Sequence, residues 1–148
     1  MPADKLLYSL LPVLALPALL GSCAIGAYFS PVTAFERSVN GMYEGEGNGI
    51  TGRVPYRLTL TVQEQAQRAN AVLVNLESRK TYTGSGKFTR TTTGGQLDLN
   101  FFEDGNKFRA AIHADLTPET ISGQLRTVLL GRELLPYNIT FKKVSSGP

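Results

Sequence analysis

Five apolar residues, Val54, Tyr56, Leu58, Leu60 and Val62, alternate one for one with Pro55, Arg57, Thr59, Thr61 and Gln63. A strand turns successive side chains to opposite faces, so this two-residue period predicts a strand with one buried and one wet face. A helix would scatter the same residues around its axis. Pro55 falls near the start, where a missing N–H is tolerated. No other feature constrains the fold as strongly, because the same period recurs through most of the chain beyond residue 33.

A first strand is expected over 39–47, with Val39, Gly41 and Tyr43 on one face, and Asn48-Gly49 supplies the next turn. A third strand over 69–77 is expected to place Val72, Val74 and Leu76 inward. A fourth over 81–91 gathers Tyr82, Gly84, Gly86 and Phe88 on one side. Beyond Gly94-Gly95, Leu97, Leu99 and Phe101 mark a fifth strand, and Asp104-Gly105 is a hairpin signal. The return strand carries Phe108, Ala110, Ile112, Ala114 and Leu116. A turn at Thr117-Pro118 leads to Ile121, Gly123 and Leu125, and the last strand shows Tyr137, Ile139 and Phe141. Thr33 and Glu36 have the spacing of a capping box, which predicts a helical turn before Gly41.

These connections are too short for crossover helices, so sequence neighbours should pair antiparallel. A meander of eight strands has two exposed edges unless it closes on itself. The expected fold is all-β, a small up-and-down barrel over 33–148. A two-sheet β-sandwich is the alternative, since alternation does not separate the two.

Ahead of this region, Lys5 precedes an apolar run over 6–20 that ends in Leu20-Gly21-Ser22-Cys23. A cationic start, an apolar stretch of about 7–15 residues and a small-residue exit are the parts of a secretory signal. The last four residues resemble the lipobox of bacterial lipoproteins. That resemblance covers only the leader, 1–22. It implies a diacylglyceryl group on the Cys23 sulfur, cleavage before Cys23, acylation of the new amine, and a tether over 24–32. Cys23 is also the only cysteine, so an exported form of the chain has no disulfide to place it in. Two other readings compete. The span 6–29 is long enough for an uncleaved membrane helix, although Pro12, Pro17 and Gly21 interrupt it, and an ordinary signal peptidase would cut after Ala24. Several acyl chains hold a protein on a membrane stably. By the lipoprotein sorting rule, Ala24 after the cysteine implies the outer membrane.

The formal charge of +3 and a pI near 9.1 suit an anionic neighbour, such as a headgroup surface, or an acidic envelope protein. The basic residues are too dispersed along the chain to predict nucleic-acid binding. Arg53, Arg57, Lys87, Lys107 and Arg109 are expected on outward faces or at turns, where cations keep a sheet soluble.

Gly41-Met42-Tyr43, on a first strand behind a short helix, is similar to the Gly-x-Trp signature of the lipocalins and their calycin relatives, with Tyr43 in place of the Trp. The resemblance implies a barrel in which that ring packs under a late-strand basic residue, here Arg126, Lys142 or Lys143. It also implies a carrier of a small apolar ligand. The candidate lining is Tyr43, Tyr56, Gly84, Gly86, Phe88 and Phe101. An eight-stranded barrel is just wide enough either to be filled by side chains or to hold one small ligand. The small inward residues then either leave space or seat neighbouring rings, and seated rings are the favoured reading.

Catalytic and metal signatures are absent from the sequence. His113 and Asp115 share an outward face, but no Gly-x-Ser-x-Gly accompanies them, and a solvated pair is expected. Glu44 and Glu46 share an outward face in the same way and are expected to solvate it rather than flank a cleft. One histidine and one committed cysteine do not build a nitrogen/sulfur metal site, and no cofactor is expected. Asn138-Ile139-Thr140 is a formal sequon placed mid-strand. The function expected from the sequence is a non-catalytic envelope lipoprotein, a binding or accessory module whose outer surface docks an envelope partner. Lysozyme inhibitors belong to this class, but their small barrels usually carry a disulfide, which this chain cannot form.

Overall fold

The computed structural model describes residues 31–147, so the expected leader, Cys23 and most of the tether lie outside the described residues. The elements run in order: helix α1 (Ala34–Val39), then β1 (Gly41–Gly49), β2 (Gly52–Gln63), β3 (Arg68–Asn75) and β4 (Thr81–Arg90). After them come β5 (Gly95–Glu103), β6 (Lys107–Leu116), β7 (Thr120–Leu129) and β8 (Arg132–Ser146). Each strand pairs antiparallel with its neighbours in sequence, and β8 returns to pair with β1. The sheet is a closed eight-stranded up-and-down barrel, and the sandwich is excluded. Closure leaves no row of unpaired backbone groups along an edge.

The capping box forms as its spacing requires. The Glu36 N–H donates to Thr33 Oγ1 at 3.1 Å, and the Thr33 N–H donates to Glu36 Oε2 at 3.2 Å. Val39 therefore ends α1 instead of opening β1, and its side chain is buried under the barrel end. Asn40 then joins helix to sheet: its Oδ1 accepts the Val62 N–H at 2.7 Å.

The register of β3 differs from the sequence expectation by one residue. Ala69, Ala71 and Leu73 face inward, opposite Val62, Leu60 and Leu58 of β2. Val72 is 38% exposed, and the strand ends at Asn75, before Leu76. Valine outranks alanine in hydrophobicity, so composition favours the wrong face, and a one-residue slip turns every side chain over. Space decides it. On the other side of β3, Ala69 and Ala71 stand beside Gly86 and Gly84 of β4, where large rings from elsewhere already fill the interior.

Two irregularities in the pairing of β8 shape the two ends of the barrel. One extra residue on β8 near Lys143 shifts its pairing with β1 between Met42 and Tyr43. Leu134 and Leu135 together oppose Thr127, a bulge that bends the β7–β8 ribbon near its tip.

Candidate functional site at the barrel mouth

At the end carrying α1, the barrel is plugged. The Tyr43 hydroxyl donates to the Val39 carbonyl at 2.6 Å, and burial pushes its pKa up to about 12. Lys143 donates from Nζ to the Ser38 carbonyl at 2.6 Å and sits 5.9 Å from the centre of the Tyr43 ring. Of the three cations that could lie over Tyr43, the structure places Lys143 there, and partial burial lowers its pKa. Phe35 of α1 stacks on Phe88 at 5.7 Å, and the Arg90 guanidinium covers the outer face of Phe35 at 3.6 Å. Glu64 completes the closure, holding Arg90 at 3.4 Å and accepting from the Thr33 hydroxyl at 2.9 Å.

The middle of the barrel is filled by rings resting on glycines. A Cβ on Gly84 would lie 2.5 Å from the Phe101 ring, and one on Gly95 would lie 2.1 Å from the Phe88 ring. Gly86 has a different cause: its Cβ would meet the Asp98 backbone carbonyl at 1.8 Å. Tyr43, Gly84, Gly86, Phe88 and Phe101 thus belong to packed layers, and of the six candidates Tyr56 alone lines the open space at the barrel mouth. Among the described residues, no buried side-chain polar atom lacks a hydrogen-bond partner.

That space is a cavity of about 190 Å³ at the opposite end, where β1–β2, β3–β4, β5–β6 and β7–β8 turn. Tyr56, Tyr82 and Tyr137 converge there over an apolar floor that includes Leu73, Ala110 and Leu125. Asn75, Thr127 and Arg109 supply its polar rim. Arg109 is held by Glu103, its Nε donating to Oε2 at 2.9 Å, and the Tyr137 hydroxyl pairs with Thr51 Oγ1. The Tyr56 pKa is pushed up to about 12, first by burial and then by Tyr137, Tyr82 and Glu77. The volume is below the ~300–1,000 Å³ of drug-sized sites, so a guest would be small. Tyr82 and Tyr137 were legible as inward residues. Asn75, Arg109 and Thr127 stand at strand ends, and only closure of the barrel brings them together.

The outer wall arranges its polar residues across strands. His113 pairs through Nδ1 with Asp98 of β5, not with Asp115, while its Nε2 lies 3.6 Å from Glu133 Oε1. Ser122 stands opposite Asp115, and the histidine's free nitrogen faces a carboxylate instead of a nucleophile. A paired sheet also spends its N–H groups in the ladder and offers no oxyanion hole. Glu44 is bound by Arg57 at 2.6 Å, and Glu46 faces Arg53 at 4.0 Å. Among the described residues, no His/Cys/Asp/Glu cluster could hold a metal, and no helix is long and apolar enough to cross a membrane.

Compared with protein-family models, curated proteins and solved structures, the chain matches none of them.

Proposed function

We propose that this chain is a non-catalytic lipoprotein of the cell envelope, anchored in the outer membrane through acylated Cys23, whose barrel is a binding or accessory module. The observation that carries this reading is the filled interior: with Phe101 and Phe88 seated on Gly84 and Gly95, recognition falls to the rims and the outer surface. The lipobox supplies the anchor, and the outward ion pairs give the wall ordinary solvated chemistry. The intact mass of the chain isolated from its own membranes tests the anchor. A chain beginning at Cys23 and carrying a diacylglyceryl group and an N-acyl group is expected, with Cys23→Ser left unprocessed. An unmodified Cys23, or a chain that starts elsewhere, refutes it.

A second reading, a lipocalin-like carrier of a small ligand, is favoured by the mouth cavity and by Lys143 over Tyr43. Native mass spectrometry of the mature protein would then show a recurrent adduct of low mass. Filling the cavity with Ala110→Phe should remove it while the barrel stays folded.

A further inference from the structure

Leu129, Leu130, Leu134 and Leu135 fall within seven residues of the β7–β8 ribbon. All four are exposed, Leu130 to 95%. They lie beyond the ribbon's last lateral partners, because β6 accompanies β7 only to Thr127 and β1 accompanies β8 only to Asn138. Past those rungs the arms pair only with each other, through Val128↔Glu133 and Leu129↔Arg132.

The turn itself is Leu130-Gly131, with φ of 51° and 75°. Two left-handed residues in a two-residue loop make a type I′ turn, which favours Asn, Asp or Gly at its first position. The β5–β6 loop, one residue longer, has the same pair of positive φ values, 53° and 78°, and there the residues are Asp104 and Gly105. Leucine at the tip is disfavoured by the backbone and left wet by the fold. Ile50, 92% exposed, tips the β1–β2 hairpin at the same end of the barrel.

The unpaired charges around these tips leave a small cationic excess, three basic residues against Glu77 and Asp104. Arg79 in the β3–β4 turn, and Lys107 and Arg132 at the first residues of β6 and β8, form no ion pair among the described residues. Glu133, the acid on the ribbon, is already held by Arg126 at 3.5 Å and by His113. Five apolar side chains on two tips are far fewer than the ~20–30 residues a side of a standard protein interface. They suit insertion at the acyl boundary, with flanking cations at the phosphates.

We propose that the leucine-bearing β7–β8 ribbon, together with Ile50, is a membrane-docking device that enters the interfacial layer of an anionic bilayer. It acts at the mouth of the barrel and stands whether or not Cys23 is acylated. The chain contains no tryptophan, so one introduced residue reports its own surroundings. Leu130→Trp and Val72→Trp, the latter on the barrel wall, are placed in the full-length protein and reconstituted into vesicles of phosphatidylethanolamine and phosphatidylglycerol. Leu130→Trp should emit further to the blue and be quenched several-fold more by brominated lipid than Val72→Trp. The difference should shrink when phosphatidylcholine replaces both lipids. Equal, weak quenching at the two positions overturns the proposal. So does a blue shift of Leu130→Trp that persists in vesicle-free detergent and grows with protein concentration, which would make the tip a contact between two copies.

Discussion

Replacing Gly84 by alanine places a methyl group 2.5 Å from Cδ1 and Cε1 of Phe101. Carbon atoms rest at about 3.5–4.0 Å, so the overlap is on the order of 1 Å. The Phe101 ring is fully buried and has no solvent-filled space to swing into. Overpacking of this kind costs roughly 1–3 kcal/mol, against roughly 0.4–1 kcal/mol recovered by stiffening the unfolded chain. The net loss is about 1–2 kcal/mol. With a urea slope of roughly 1–3 kcal/mol/M, the midpoint should fall by about 1 M. Urea unfolding of the Thr33–Pro148 unit, monitored by far-UV circular dichroism, reads the shift. The ring makes a second arm possible. Phe101→Leu leaves a void and destabilises alone, but in the Gly84→Ala background it also removes the overlap. The double variant should be at least about 0.5 kcal/mol more stable than the two single losses predict. Gly86→Ala should show no such rescue, because its Cβ meets the Asp98 backbone carbonyl, which no side-chain change can move. A neutral Gly84→Ala, or strict additivity with Phe101→Leu, would refute the claim that rings fill the interior.

The register of β3 predicts a contrast between adjacent residues. Leu73→Ala should cost about 2–5 kcal/mol, whereas Val72→Thr should stay within about 0.5 kcal/mol, by the same urea assay. Equal losses would restore the face expected from composition. Alkaline pH supplies another test. Tyr43 and Tyr56 have folded pKa values raised from 10.0 to about 12, so their stabilising contribution is complete below pH 10 and is lost as pH rises through about 12. Stability measured against pH should fall across that window, and Tyr56→Phe should flatten part of the fall. An unchanged profile in Tyr56→Phe would mean that this hydroxyl is freely hydrated.

The sequence by itself determined the strands and their order of pairing, because strand periodicity and turn chemistry are local. The alternation from Val54 to Val62 requires a strand, Asp104-Gly105 requires a tight hairpin, and Thr33 with Glu36 requires a capped turn. Short connections then leave only antiparallel neighbours, while closure into a barrel in place of a sandwich was decided by the tertiary structure. What tertiary structure decided is everything that depends on how much room the closed barrel leaves. Alanine took the inward face of β3 over valine because Phe101 lies on Gly84 across the sheet. Lys143, not Arg126 or Lys142, reached Tyr43 because the register of β8 on β1 sets it directly opposite Tyr43, on the inward side with Phe141. Asn75, Arg109 and Thr127 joined Tyr56 at the mouth only through the stagger of the closed strands. Leu130 was legible as a leucine beside a glycine, but its position on a ribbon that outruns its neighbours was not. Where a strand loses its lateral partners is set by the register of the whole barrel, and no local pattern of residues encodes that.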